Sequence, residues 1–292
     1  DDARARQALR IALAGRLLLD TPEHAAIATV LPLVQGGPRR LVHGVLSTLF
    51  RRKAQLPPPE LPPVWAARWR ESWGETQVAA AAARLAAVPP TDLTLKDQAS
   101  TAEWAARLGG VSLAAGHVRL PGSQQVERLE GYADGDWWVQ DIAASLPARL
   151  LGDVQGQRVL DLCAAPGGKT MQLAAAGAQV TALDISAARL KRLRANLERT
   201  GLTAEIVEAD ALRWQPDAPF DAILLDAPCS ATGTFGRHPD LLYLKEGLEL
   251  DRLLALQRAL LKQAGAWLKP GGRLVYAVCS LERAEGEEQP VP

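Results

Sequence analysis

Cysteine is scarce: the 292 residues contain three, at positions 163, 229 and 279. An odd, widely spaced set argues against a disulfide framework and for a reducing cytosol. No Cys-x-x-Cys and no Cys/His cluster is present, so no metal site is expected. Charge of one sign is also absent. Lysine plus arginine number 33, as do aspartate plus glutamate, and the formal net charge is zero. A surface for nucleic acid would therefore have to be a local patch. No apolar run reaches membrane-spanning length and no signal peptide is visible, so no membrane association is expected. Two glycine-rich phosphate signatures, Gly-x-x-x-x-Gly-Lys-Ser/Thr and Gly-x-Gly-x-x-Gly, are missing as well. What remains is 48% hydrophobic and 23% charged. That composition suits packed cores, and the length suits two or three domains.

The most informative stretch is Val159 to Thr170, VLDLCAAPGGKT. An apolar run ends in a turn of small residues and passes into the apolar-periodic Met171, Leu173 and Ala174. This pattern predicts strand, loop and helix, the opening of a nucleotide-binding α/β unit. Gly167 and Gly168 permit a tight turn and a close ligand, and the helix offers its first amides. The loop alone would fit a ligand site or a plain turn about equally.

The strand ends downstream favour the ligand site. Val180–Asp184 is a second predicted strand, ending in an acid where α/β folds place a carboxylate on a ribose diol. A third, 204–210, ends at Asp210. A fourth, 220–226, ends at Asp226 and leads into Cys229, and a fifth, from Arg273, ends at Cys279. In an open parallel sheet these ends converge on one crevice. Any single acid could be a helix cap or turn residue, but the whole set is hard to explain that way.

The motifs Asp161-Leu-Cys-Ala-Ala-Pro-Gly-Gly-Lys-Thr170 and Asp226-Ala-Pro-Cys-Ser-Ala-Thr-Gly-Thr234, with Cys279-Ser280 after a Leu-Lys-Pro-Gly-Gly strand, occur in this order. They resemble the Sun family of RNA cytosine-5 methyltransferases, and most closely its members acting on 16S ribosomal RNA. The resemblance implies an α/β fold: a Rossmann-like class I sheet that uses S-adenosylmethionine. It implies that Cys163, Ala164, Ala165, Pro166, Gly167, Gly168 and Lys169 meet the methionine moiety, Asp184 the ribose and Asp210 the adenine. Asp226 would hold cytosine N3 or its amino group beside the methyl, while Lys169 would close the loop onto Asp226 or a carbonyl.

Carbon 5 of cytosine is a weak nucleophile, and a thiolate adding to carbon 6 activates it. Both Cys229 and Cys279 sit at strand ends where this could occur, and spacing does not rank them. DNA enzymes use the Pro-Cys position, which would point to Cys229. The RNA enzymes this sequence resembles use the later cysteine, so the resemblance assigns Cys279 as nucleophile and Cys229 as helper in resolving the adduct. Two departures stand out: the family's Thr-Cys-Ser reads Val278-Cys279-Ser280, and its Arg-Arg-His-Pro-Asp reads Gly236-Arg237-His238-Pro239-Asp240. The second would loosen one phosphate contact.

Residues 1–55 carry a helical pattern. Ala8, Ile11, Leu13, Ala14, Leu17 and Leu18 form one expected face, Thr21-Pro22 a helix start, and Gly36-Gly37-Pro38 a break. Leu41, Val45, Leu46, Leu49 and Phe50 form a second face. This segment resembles the latter part of a NusB-like RNA-binding domain, shorter than the family's. Arg39, Arg40, Arg51, Arg52 and Lys53 are either a solvated face or phosphate contacts. His24 and His43 are expected as packing or surface residues.

Residues 56–63 are a proline-rich linker. Residues 64–139 mix short strands and helices and resemble a small α+β RNA-binding subdomain. Within it, Trp65, Trp69 and Trp73 share one helix face, expected to be core or docking surface rather than a base-stacking platform. Ser100-Thr-Ala-Glu103 reads as a capping box. Residues 140–292 form the catalytic domain, entered through Gln140-Asp141. It includes a helix over 186–200 that buries Leu190, Leu193 and Leu197 with its basic side to solvent. A second helix runs from Leu248 to Leu268 and stops at Lys269-Pro270-Gly271-Gly272. Only 13 residues follow Cys279, so the last hairpin of a seven-stranded sheet is not expected here.

The function expected is methyl transfer to a cytosine of 16S ribosomal RNA, in a loop or flipped out, by a cytoplasmic monomer. The same chemistry on transfer RNA or another ribosomal site is one alternative. The other is a non-catalytic RNA-binding or ribosome-assembly module.

Overall fold

The computed structural model describes residues 2–245, 247 and 250–290. The chain divides into two compact units between Pro59 and Glu60, inside the proline-rich stretch.

The first unit contains three helices, α1 (Ala3–Leu18), α2 (Glu23–Val30) and α3 (Gly36–Arg51). Its core is built from Ala5, Ala8 and Ala12 of α1 against Val30 and the Val42, Leu46, Phe50 stripe of α3. The expected α1 face holds in part: Ala8 is buried and Leu13 packs against the core, but Ile11 and Leu18 are 51% and 58% exposed. In a helix so rich in alanine and leucine, alanines take the closest contacts, Leu9 and Leu13 pack beside them and other large side chains turn outward, so periodicity alone misplaces part of the face. Likewise Leu41 is exposed and Val42 is buried. Pro22, not Thr21, is the residue before α2. His24, His43 and the five basic residues at the ends of α3 are all exposed.

The second unit opens with α4 (Pro63–Trp73) and α5 (Glu75–Ala86). A three-stranded antiparallel sheet comes next, in the order β2-β1-β3, from β1 (Thr91–Leu95), β2 (His117–Leu120) and β3 (Trp137–Val139), with α6 (Thr101–Arg107) between the first two. Ser100 precedes α6 but makes no capping hydrogen bond. Its hydroxyl donates to Asp97 O, and Asp97 caps the preceding turn by accepting from Ala99 N. This alternative N-cap explains why the expected capping box does not form.

Asp92, fully buried on β1, ties this sheet to the next helix, α7 (Ile142–Leu150). It accepts two 2.7 Å hydrogen bonds from Arg119 and one of 3.1 Å from Ile142 N, at the first residue of α7. Asp141 caps α7 by accepting from Ala143 N.

The larger sheet has five parallel strands among the described residues: β4 (Arg158–Leu162), β5 (Gln179–Asp184), β6 (Glu205–Glu208), β7 (Phe220–Asp226) and β8 (Leu268–Ala277). Their order is β6-β5-β4-β7-β8. Between them run α8 (Gly168–Ala175), α9 (Ala187–Thr200), the short α10 (Leu241–Leu244) and α11 (Asp251–Ala266). The central strands read as nearly unbroken apolar runs because both faces are covered. On one face Leu160, Leu162, Ile223 and Leu225 pack with Leu260, Leu261 and Ala264 of α11. On the other Val159, Ala222 and Leu224 pack with Ala148 of α7 and Leu173 of α8. The sheet is α/β and Rossmann-like, as expected.

Leu248 and Glu249, where the long helix was expected to begin, lie outside the described residues. Its other end comes earlier than expected, because Leu268 already pairs with Phe220. Pairing then resumes at Ala222 with Arg273, so Lys269–Gly272 is a bulge within β8 rather than the stop before it.

Candidate active site

Strand order reverses at β4, which pairs with β5 on one side and β7 on the other. Ligands of open parallel sheets bind in the crevice beyond the carboxyl ends of the strands at such a point. The loop Cys163–Gly167 occupies it. Cys163 and Gly167 have positive φ, +65° and +102°. Ala164 N donates to Leu183 O, and Gly167 N to Ala164 O. A Cβ at position 167 would lie 2.8 Å from Leu193 Cγ. Gly167→Ala is therefore expected to cost about 1–3 kcal/mol of local stability and to weaken ligand binding at the loop. Isothermal titration with S-adenosylmethionine checks this, and an unchanged Kd would contradict it.

Two of the strand-end acids turn back onto the protein. Asp184 is buried, accepting from Ala165 N (3.1 Å) and Ser186 N (2.9 Å), with Arg189 at 3.3 Å. It holds the loop against β5. Arg189 reaches on to Ala165 O yet stays exposed, whereas Arg199 donates to Tyr132 O, is half-buried and does not face solvent as expected. Lys191, Arg192 and Arg194 do. Asp210 lies beyond the end of β6, half-exposed, accepting from Leu212 N. Asp226, at the end of β7, accepts from Lys169 Nζ at 2.7 Å. Lys169 thus closes the loop onto Asp226.

Asp161, passed over in the sequence, is the deepest acid of the group. It lies mid-strand on β4, fully buried. Oδ2 accepts from Thr170 Oγ1 and Oδ1 has no partner. Burial pushes its carboxyl up to about 7, aided by the nearby charges of Asp226 and Asp184. The same surroundings push the Cys163 thiol up to about 12, burial first and the three carboxylates after it. An acid interrupting an apolar strand was the available signal.

Asp161 sets an expected pH dependence. Unfolded, its carboxyl ionises near 4 as usual; folded, it holds its proton to about 7. Between those limits the folded chain binds more protons, so this contribution is fully present below the window and is lost as pH rises through it. Asp161→Asn can still accept from Thr170 but cannot titrate. Without cofactor, Tm of the parent should fall more steeply than that of Asp161→Asn between about pH 5 and about pH 8. Parallel slopes would contradict the assignment.

The loops after β7 and β8 bring the two remaining cysteines together, Sγ to Sγ, at 3.4 Å. Cys229 is half-buried and Cys279 exposed. The two thiols respond in opposite directions. The hydrogen bond between them draws Cys279 below its ordinary value and drives Cys229 upward. Cys279 gives up its proton first and Cys229 keeps its own. Spacing alone did not distinguish the pair; the more exposed thiol, Cys279, is also the one drawn down.

A cluster that sequence reasoning missed supports the loops. Glu285, fully buried, accepts from Ser230 N (2.9 Å), Gln257 Nε2 (3.0 Å) and Ser280 Oγ (2.5 Å). From the other side the tryptophans of α4 grip the same region. Trp65 Nε1 donates to Leu242 O, Trp69 Nε1 to Glu282 Oε1 and Trp73 Nε1 to Leu281 O. Trp65 and Trp69 are buried, and Trp69 also packs on Phe235. The stripe is a docking surface. Nearby, Arg237 pairs with Asp141 at 2.8 Å, and a Cβ at Gly236 would sit 3.0 Å from Arg84 Nε. Arg84 of α5 thus lines the space beside the glycine that departs from the family pattern.

This arrangement agrees with what the chain is similar to. A family model described as 16S rRNA methyltransferase RsmB/F matches residues 148–290. Ribosomal RNA small subunit methyltransferase B of Xanthomonas campestris pv. campestris is 36% identical over 309 residues, covering 99% of this chain and 70% of the relative. The chain belongs to the RsmB/F methyltransferase family. The protein of the same name from Klebsiella pneumoniae subsp. pneumoniae is 38% identical, over 92% of this chain and 68% of its own length. The crystal structure of PH0851 superposes with a TM-score of 0.78 at 24% identity, over 98% of this chain and 71% of that one. It shares the fold.

RsmB/F proteins take S-adenosylmethionine, and the residues present fit it. The cofactor carries an ammonium, a sulfonium, ribose hydroxyls and an adenine amine, all positive or donors. The crevice offers the carboxylates of Asp184, Asp210 and Asp226, which are acceptors, with the buried carboxyl of Asp161 beneath them. The unpartnered Oδ1 of buried Asp161 is the kind of group such a ligand satisfies. Among the described residues no group of three or more His, Cys, Asp or Glu could hold a metal ion, and no helix is long and apolar enough to cross a membrane.

Proposed function

We propose that this chain transfers a methyl group from S-adenosylmethionine to carbon 5 of a cytosine in 16S ribosomal RNA, through a covalent adduct between Cys279 and carbon 6. The observation that carries the reading is the 3.4 Å pair of Cys229 and Cys279 beside Asp226 and Lys169, at the mouth of the cofactor crevice.

The cofactor, when bound, supplies an electrophilic methyl on a sulfonium. Cys279, the thiol that ionises first, forms the bond to carbon 6, so that carbon 5 becomes nucleophilic. Asp226 accepts from the cytosine amino group or holds a proton at N3, and Lys169 fixes its carboxylate. After the methyl has moved, loss of the carbon-5 proton lets the carbon 6–sulfur bond break and returns the thiolate. Cys229, still protonated beside the adduct, is placed to assist this departure. Gly167, Gly168 and Lys169, with Cys163 to Pro166, would hold the methionine moiety. Asp184 would keep the loop in place and take the ribose on its remaining lone pairs, and Asp210 would take the adenine.

A base within a duplex cannot reach such a crevice, so the target lies in a loop or is flipped out. Residues 1–55 act as a NusB-like RNA-binding domain, and residues 64–139 as a small RNA-binding subdomain ahead of the catalytic domain at 140–292. The exposed Arg39, Arg40, Arg51, Arg52 and Lys53 suit RNA phosphates. Three free thiols suit the reducing cytosol, where the protein would act as a monomer.

The test is transfer of labelled methyl to undermethylated 16S ribosomal RNA and to bulk transfer RNA, side by side. 5-Methylcytosine in 16S RNA supports the reading. Label confined to transfer RNA would overturn the substrate, and no label with cofactor bound would favour a binding module.

A further inference from the structure

The two cysteine loops come from different strands, and no hydrogen bond of the parallel ladder reaches their tips. Ala227 N to Ala277 O closes the last rung, two residues before each cysteine. Beyond the sheet one backbone bond joins the loops, Gly233 N to Cys279 O at 3.0 Å, and it leaves the Cys229 end to be held by side chains if the sulfurs are to stay 3.4 Å apart.

Glu285 is placed to do so. Its Oε1 accepts from the backbone amide of Ser230, the residue after Cys229, and its Oε2 from the hydroxyl of Ser280, the residue after Cys279. One carboxylate therefore bridges both loops, an oxygen to each. Its three partners are neutral: an amide N–H, a carboxamide and a hydroxyl. Burying a carboxylate on such partners costs free energy that a surface glutamate would avoid. The cluster is also extensively connected. Ser280 Oγ accepts from Glu282 N and lies 2.9 Å from Ser230 Oγ. Thr232 Oγ1 accepts from Leu281 N. Gln257 of α11 donates both to Glu285 and to Pro228 O, on the chain just before Cys229. The Tyr276 hydroxyl, on β8, donates to Glu285 O and fixes its backbone.

We propose that Glu285 is a positioning residue that clamps the Cys229 and Cys279 loops together and so sets the sulfur-to-sulfur contact on which the reaction depends. The inference rests on the proposed covalent chemistry of Cys279. Glu285 acts through the thiols, without touching RNA or cofactor. A purely structural role would be expected to change stability or ligand affinity first. A positioning role changes the reactivity of Cys279 while binding persists.

Alkylation of Cys279 by iodoacetamide across a pH series reads this directly and needs no RNA, so it is independent of whether the substrate is correctly named. In Glu285→Gln one carboxylate oxygen becomes a donor and cannot accept from both loops. Alkylation of Cys279 near neutral pH is expected to slow about tenfold, with its profile moved to higher pH. kcat should fall while KM for RNA and Kd for S-adenosylmethionine stay within about twofold. Ser280→Ala, which removes one partner and leaves the carboxylate, should shift the profile the same way by less, and carries the test if Glu285→Gln does not fold. Restoration by Glu285→Asp of part of the alkylation rate would further support a carboxylate clamp. An unchanged Cys279 profile in Glu285→Gln and Ser280→Ala, or a kcat loss matched by lost cofactor binding, overturns it.

Discussion

Cys279→Ala is expected to abolish methyl transfer, by about ten-thousandfold or more, while S-adenosylmethionine binds with unchanged affinity. Without a sulfur at carbon 6, carbon 5 remains too weak a nucleophile, and Cys229 is not expected to make the bond in its place. The cofactor loop is held by Asp184, Lys169 and Asp226, which do not depend on this side chain. Cys229→Ala should behave differently. The contact with it is what draws the Cys279 thiol down, so adduct formation should slow. If Cys229 also assists departure of the thiolate, a covalent protein–RNA complex should persist on a denaturing gel, absent from Cys279→Ala. The reverse pattern, with Cys279→Ala active and Cys229→Ala dead, would exchange the two roles.

Asp226→Asn is expected to lower kcat by about a hundredfold to ten-thousandfold with a smaller effect on cofactor affinity. The carboxylate accepts from Lys169 Nζ at 2.7 Å. A carboxamide presents a donor on one side, which opposes either the lysine or the cytosine amine. It also leaves Lys169, only 12% exposed, without the counter-charge it contacts. Single-turnover transfer measured beside cofactor titration separates the two effects. A loss of less than about tenfold in kcat would show that Asp226 serves the loop rather than the base.

The parts of this molecule that were legible in the sequence are those where local pattern and tertiary role coincide. Val159–Leu162 and Phe220–Asp226 read as strands because a sheet covered on both faces needs apolar residues at every position. Leu190, Leu193 and Leu197 were the buried face of α9 as their spacing required. Where several faces of a helix are apolar, as in α1, the buried one is chosen by close packing of alanines, which periodicity does not encode. Ser100 had the right neighbours for a cap, yet Asp97 capped the preceding turn first.

The crevice was legible in outline because strand ends of a parallel sheet must converge. What the motifs could not show was the internal work of its members. Asp184 and Lys169 spend hydrogen bonds on the loop itself, and Asp161 lies beneath it. Glu285 sits among Glu282, Glu287 and Glu288, which in sequence resemble a solvated acidic run. Only the long-range fold turns one of them inward, onto serines 55 and 5 residues away.

The central claim is a carbon 6–sulfur bond made by Cys279, and a substrate that halts the reaction after that bond forms tests it most directly. RNA carrying 5-fluorocytosine has no carbon-5 proton to lose, so the methylated adduct cannot resolve. Incubated with the protein and S-adenosylmethionine, then digested and analysed by mass spectrometry, it should leave a methylated nucleotide on the peptide containing Cys279. A nucleotide on the Cys229 peptide instead, or full turnover with no adduct on either, would contradict the account.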